Sequence, residues 1–360
     1  MAFIKYSPVI ILPTGERYEF EKFSELEYDE YENQPGRIKF SVPVTDPKLD
    51  NLVDVSKFLR IHLYRNGILC WQGFVAFVSD DIHKTTFYGL GYLECLKWYR
   101  VGWNTTYTGK KIGTEIISPI WDAIDARTGA ILGDIIKKGN IEDPYTTSTT
   151  NAKTINRTVF DEDFFTLCQQ MIYISRSNSP TGAWVQNTVM GVSLSETAPT
   201  FSFLRNVGSD KPLAIFELDS EISDFLYSQD LRYIRNDVKG LGIISGPQVI
   251  NKTETDSTSR GTHYLREISY LFDSISSQSE LDEQTKDFLK QNKDPVENWY
   301  LSFTSKKAPY DGYLMGDSIR VRINRGRVAL DSYFRVIGME VVVTDSGVEI
   351  PHPILEGVRT

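Results

Sequence analysis

Four histidines (His62, His83, His263, His352) and three cysteines (Cys70, Cys95, Cys168) are the side chains here best suited to metal or nucleophilic chemistry. Structural zinc sites and redox pairs bring two ligands from one turn, so the residues sit a few positions apart. No CxxC and no Cys/His pair at that spacing occurs, and the histidines lie far apart. There is also no GxxxxGK[ST], HExxH, GxSxG or calcium loop. GLGYLE (Gly89–Glu94) stands between a strand and a helix, as a dinucleotide loop does. It lacks the third glycine and follows a hairpin rather than a βαβ unit, so it reads as a tight strand-to-helix turn. GLGIISG (Gly240–Gly246) has the wrong spacing and no helix behind it. The 48 acidic residues guarantee that some pair is close in space, as glycosidases require, but abundance is not spacing. Trp71, Trp98, Trp103, Trp184 and Trp299 would suit a sugar platform, yet Trp in a β protein more often serves core or interface. These residues predict no enzyme, metal or cofactor.

The segment with the clearest physical pattern lies near the C-terminus. In GDSIRVRINRGRVALDSYFRVIGMEVVVTDSGVEIPHP, Ile319, Val321 and Ile323 alternate with Arg320, Arg322 and Asn324. One face of an extended strand is therefore apolar and the other cationic. Arg320 and Arg322 are expected to face away from their own core, as candidate subunit-interface residues. Arg325-Gly326 is a turn, followed by runs at Tyr333–Val336 and Met339–Thr344, and Asp345-Ser346-Gly347 is a hairpin turn. An earlier hairpin runs from Leu59 to Tyr64, turns at Asn66-Gly67 and returns through Trp71 and Val78.

Between these hairpins the period changes. Residues 1–88 read as a β-barrel-like domain, and 89–175 as a mixed α/β domain. In the latter, Ile116, Ile117, Ile120, Trp121 and Ile124 recur at helical spacing, with Thr114 as N-cap. A second helix, capped by Asp161, carries Phe164, Phe165, Leu167, Cys168, Met171 and Ile172 on one apolar face. Residues 176–298 read as a second β-barrel-like domain, with a polar surface loop near 247–261 and a solvated helix over Glu280–Asn292. Residues 299–360 read as a C-terminal β module. The fold class expected is mainly β, α+β overall: two barrel-like domains with an inserted α/β portion.

The chain of 360 residues is 41% hydrophobic and 12% aromatic, which suits folded domains with strands and contact surfaces. A net charge of −9 excludes a general nucleic-acid grip. The charge is uneven: Glu16–Glu32 holds eight acids against two bases, whereas Arg320, Arg322, Arg325, Arg327 and Arg335 crowd the end. Complementary faces of this kind steer register between subunits. No run approaches the roughly 18 apolar residues of a membrane helix. The opening MAFIKYSPVIILPTGERYEF lacks a signal-peptide cleavage site. Reduced cysteines and a cytoplasm-like compartment are expected.

Three phrases, in order, carry a family resemblance. FSELEYDEYENQPGRIKFSVPVTDPKLDNLVDVSKFLRIHLYRNGILCWQGFV is similar to a polar lead-in, an FSVP-like strand and an RNG…W hairpin, and TTFYGLGYLECLKWYR to the strand and short helix after it. FSFLRNVGSDKPLAIFELDSEISDFLYSQDLRYIRNDVKGLG is similar to a GSDK turn and an N-x-V-x-G-x-G strand. YLMGDSIRVRINRGRVALDSYFRVIGMEVVVTDSGVEI resembles a GD…RVIG.EV module. Together they resemble the tail hub proteins of tailed bacteriophages, also called baseplate hub or central tail-tip proteins. The resemblance implies a homotrimer with two β-barrels per subunit, closing the tube at the distal end of the virion tail. It implies adaptation of a six-fold tube to a three-fold tip during assembly, attachment and DNA ejection. Partners implied are the distal tail or tube protein, the tape-measure protein and a tip fibre or receptor-binding protein, with no membrane anchor and no specific nucleic-acid binding. Assembly would take place in the host cytoplasm. Many relatives carry a C-terminal hydrolase or receptor-binding extension. With Thr360 standing soon after the last β module, those tasks are expected to fall to other proteins. The competing readings are another tail component (a distal tail ring or an injection-machine spike base) and, of a different class, a carbohydrate-active enzyme or glycan-binding β module.

Overall fold

The structure, a computed structural model, describes residues 4–52, 58–102, 105–128, 135–144, 154–159, 161–177, 188–204, 207–243, 249–272, 275, 277–303, 312–344 and 347–357. The chain is mainly β. It opens with β1 (Tyr6–Ile11), β2 (Arg17–Glu19), β3 (Ser24–Tyr31), β4 (Gln34–Pro43), β5 (Arg60–Arg65), β6 (Ile68–Asp80) and β7 (Lys84–Gly91). The turn between β5 and β6 places both Asn66 and Gly67 at positive φ, 52° and 79°. That left-handed pair matches the twist of the strands it joins, which is why Asn-Gly marks hairpins.

A mixed unit follows: β8 (Thr105–Lys111), α1 (Ser118–Arg127), β9 (Lys137–Ile141), β10 (Thr154–Val159), α2 (Phe164–Ser177), β11 (Val189–Ser193) and β12 (Thr200–Leu204). On α2, Phe164, Leu167, Cys168 and Met171 are buried at helical spacing, and Trp121 stacks on Phe201 at 5.0 Å. The α2 cap is Asp163, not Asp161: Asp163 accepts the Thr166 N–H at 2.8 Å and the Thr166 hydroxyl at 2.8 Å. Thr166, three residues on, supplies both donors, and this local pairing decides between the two acids. Thr114 does not cap α1 either. A π turn over Gly113–Ile117 precedes the helix, and the Thr114 amide and hydroxyl bond Asp143.

Next come β13 (Asp210–Glu217), β14 (Ile222–Asp230), β15 (Asp237–Ile243), β16 (Val249–Thr255), α3 (Ser257–His263), β17 (Glu267–Phe272), α4 (Gln278–Asn292) and β18 (Val296–Phe303). The stretch expected as a loop near 247–261 is therefore ordered where described: β16 pairs antiparallel with β15, and Asp256 caps α3. Its polarity misled because β16 is an edge strand whose residues alternate between exposed and half-buried. Its β-branched Val249, Ile250, Thr253 and Thr255 carry the strand preference instead. The N-x-V-x-G-x-G phrase has a local cause. Asn236 is fully buried and bonds the Tyr264 carbonyl at 2.7 Å and the Arg266 amide at 2.8 Å. A Cβ on Gly240 would overlap the Thr285 hydroxyl, so α4 sits close on β15 only over glycine.

The chain closes with β19 (Ser318–Arg325), β20 (Val328–Val343) and β21 (Glu349–Gly357). The two runs expected at Tyr333–Val336 and Met339–Thr344 are one 16-residue strand with a bulge between Val336 and Gly338. Asp345 and Ser346 lie outside the described residues. Gly347 has φ 75°, and its amide bonds the Thr344 carbonyl at 2.8 Å.

The sheet connectivity redraws the expected domains. An 11-stranded sheet runs β13-β19-β20-β3-β4-β7-β6-β5-β1-β2, with β21 also on β20. The strands of 299–360 are thus not a separate module: β20 pairs with β3, joining the chain's end to its beginning. The described strands of 176–298 are spread over several sheets: β13 pairs with β19, β14 with β18, and β15 with β16 and β17. One core spans Tyr6, Phe40 and Trp71 as well as Phe216, Ile319 and Val341, and a second fills the mixed unit from Tyr92 to Phe203.

His62 lies on the face of β5 opposite that core, 1% exposed, with Nδ1 3.5 Å from the Tyr64 hydroxyl. Burial, then the charges of Arg17 and Arg60, lower its pKa from the usual 6.5 to about 4. The folded state therefore holds it neutral, and the unfolded state takes up a proton first. Stability due to His62 is present above pH 6.5 and is lost as pH falls towards 4, by up to about 3 kcal/mol. Urea titrations across that window should show this slope in the native chain and a shallower one in His62→Gln.

Candidate assembly surface

Along β19 the strand period places Ile319, Val321 and Ile323 in the core, each at most 1% exposed. Arg320 and Arg322 point the other way, where each meets an acid of its own chain. Arg320 donates to both Asp331 oxygens at 2.6 and 2.8 Å; Arg322 reaches Glu217 at 3.0 Å and Asp331 at 3.5 Å. Arg325 reaches Asp219 at 3.3 Å. The outcome is a ladder of alternating charge across β13, β19 and β20. The Arg320 bond holds the Asp331 carboxyl below its ordinary range. Exposed pairs such as these contribute little to folding, so they can exchange partners with a facing surface.

The hairpin that carries this ladder is held at its base by a buried junction. Asp317, 3% exposed, accepts the amides of Ser209 and Leu314, each at 2.8 Å, and the Ser209 hydroxyl at 3.1 Å. Ser318 N–H donates back to the Ser209 carbonyl at 3.0 Å. Gly208 and Gly316 have φ of 93° and 94°, and a Cβ on Gly208 would overlap the Gly316 carbonyl. Arg335, 4% exposed, pairs with Glu32, 8% exposed, and reaches the carbonyls of Gly316 and Val207 at 3.3 Å. So the GSDK turn, the GD turn, the RVIG strand and the end of the β3–β4 hairpin meet at one point. In the sequence Arg335 and Glu32 stood out only as members of the basic and acidic runs, and Asp317 did not stand out at all. Nothing in those runs showed that the three meet.

Other surface features offer contact area rather than chemistry. Phe77 and Tyr88 are exposed and touch across β6 and β7 with centroids 5.5 Å apart, and Ile82 at that hairpin's tip is 84% exposed. Leu213 on the edge strand β13 is 95% exposed. Exposed apolar groups gathered in this way mark association surfaces. Among the described residues no group of three His, Cys, Asp or Glu side chains converges as a metal site. The tryptophans form no platform among the described residues: Trp71 is buried in the core, Trp299 packs on Tyr227 at 4.2 Å, and Trp98 meets Phe58 and Phe74 edge-on. Trp103 and Trp184 lie outside the described residues.

No family model matches the chain, and no curated protein matches it in sequence. Solved structures do match, over nearly its whole length. The tail protein from Neisseria meningitidis MC58 aligns with a TM-score of 0.60 at 13% identity, covering 99% of this chain and 98% of that one. Prophage tail protein gp18 from Listeria monocytogenes EGD-e aligns at 0.59 and 10% identity, covering 98% and 95%. The 43 kDa tail protein of prophage MuSo2 from Shewanella oneidensis aligns at 0.61 and 11% identity, covering 98% of each. From end to end, the chain has the fold of these tail proteins.

Proposed function

We propose that this protein is a structural component of a phage tail, and specifically the hub at its distal tip. The observation that carries the reading is the two-way coverage of the tail-protein likeness, which leaves little of either chain unmatched. The hub would be a homotrimer that closes the tube, joins its six-fold ring to a three-fold tip and holds the tape-measure protein until DNA ejection. Two groups of strands in the large sheet, β1–β7 and β13 with β19–β21, meet where β3 pairs with β20. Three chains with two such lobes each would offer six docking surfaces, and closed rotational symmetry avoids an open filament. The charge ladder around Arg320 and Arg322 would set register against a neighbour. The role is structural rather than enzymatic.

Negative-stain electron microscopy of the purified protein at high concentration tests the reading, with three-fold rings as the expected result. Six copies per ring would favour the distal-ring alternative. A hydrolase screen on cell-wall material and a glycan panel test the other class. Turnover abolished by a single carboxylate variant would sink the structural reading.

A further inference from the structure

A cavity of about 330 Å³ opens where the end of β3 and the start of β4 face β11 and β12. Its walls are largely apolar: Trp71, Leu93, Met190, Val192, Leu204 and Met315. Glu30 also lines it. The strand period puts Glu30 on the same side of β3 as buried Leu26 and Tyr28, at the end of the sheet. Its carboxylate has no hydrogen bond or ion pair among the described residues. The arginines of the two strands flanking β3 are committed elsewhere, Arg37 to Asp29 at 3.1 Å and Arg335 to Glu32. Cys70 on β6 brings no charge, since burial first and Glu30 among the charges push its thiol up to about 12. Tyr31 and Tyr92, the other titratable groups of the wall, are held protonated by burial, and Tyr31 is bound to Glu340. Among the described residues, then, nothing neutralises the Glu30 carboxylate, which stands beside an open apolar recess.

We propose that this cavity receives a lysine side chain from a neighbouring polypeptide, its ammonium pairing with Glu30 and its stem lying along the apolar wall. A lysine stem buries well against such a wall while its head meets the acid. Two carboxylate oxygens take two of a guanidinium's five N–H donors and leave three facing a largely apolar wall, against one of an ammonium's three. The inference stands on the cavity alone and does not depend on the tail reading.

Burial, with a smaller contribution from the Asp29 charge, pushes the Glu30 carboxyl up from 4.5 to about 7. The ionised form, which binds an ammonium, is then about 10% of the total at pH 6 and about 90% at pH 8.

Two of the chain's five methionines, Met190 and Met315, line the cavity, so their methyl resonances report occupancy directly. The probes are Nα-acetyl-lysine N-methylamide, its uncharged norleucine counterpart and n-pentylammonium. The lysine diamide should shift both methyls at pH 8, bind the native chain roughly tenfold more weakly at pH 6, and outbind the norleucine diamide at least tenfold. Glu30→Gln should erase that preference. The pH comparison uses the unaltered chain and stands even if the variant folds poorly. Equal binding of the two diamides, a preference that survives Glu30→Gln, or no shift of Met190 and Met315 would overturn the proposal. Tighter binding of n-pentylammonium than of the lysine diamide, by tenfold or more, would point to a free amine and overturn the polypeptide assignment.

Discussion

Arg335→Ala and Glu32→Ala are each expected to lower folding stability by about 3–5 kcal/mol, the usual consequence of deleting one member of a buried ion pair. Both side chains are under 10% exposed, and Arg335 also serves the carbonyls of Gly316 and Val207. Removing the arginine therefore takes a charged donor from Glu32 and from two carbonyls at once. The double variant Arg335→Met with Glu32→Leu should cost less than the sum of the single changes, since the two opposite charges leave together. Urea unfolding of the native chain, both single variants and the double variant measures the coupling directly. A purely additive double variant would mean that the pair is not the clamp at the base of the β19–β20 hairpin.

Charge reversal at Arg320 and Arg322 is expected to act on assembly instead. The pairs with Asp331 and Glu217 are solvent-exposed, so Arg320→Glu with Arg322→Glu should shift the melting temperature by only a few degrees. Ring or tip formation should fall by an order of magnitude or more, because a facing acidic surface would now meet like charge. Sedimentation and melting curves on the same samples separate the two effects. A sharp fall in melting temperature with assembly intact would assign both arginines to an internal network.

What was legible in the sequence was local. Asn66-Gly67 marks a two-residue turn because both positions need positive φ, and the alternation from Ile319 to Asn324 reports a strand with one buried face. The apolar stripe of α2 was equally plain. Strand β16 was not, because VINKTET sits at a sheet edge and has too few apolar residues to show its period. The long pairings were also out of reach. β3 finds β20, and Glu32 finds Arg335 across 303 positions, through contacts that no local window contains. For the same reason the expected domain boundaries treat as separate pieces strands that share one sheet. At the candidate surface, the direction of Arg320 and Arg322 was readable from the period. Their partners Glu217, Asp219 and Asp331 were not, since parallel pairing of β13 with β19 brings the first two from a hundred residues away.

The most direct test of the hub assignment is an electron cryomicroscopy reconstruction of the assembled tail tip containing this chain. The account predicts three copies at the distal end of the tube, each placing both of its β lobes in one pseudo-six-fold ring, with the Arg320 and Arg322 face against a neighbouring subunit. Six copies in that ring with one lobe each, or absence of the chain from the tip, would contradict it.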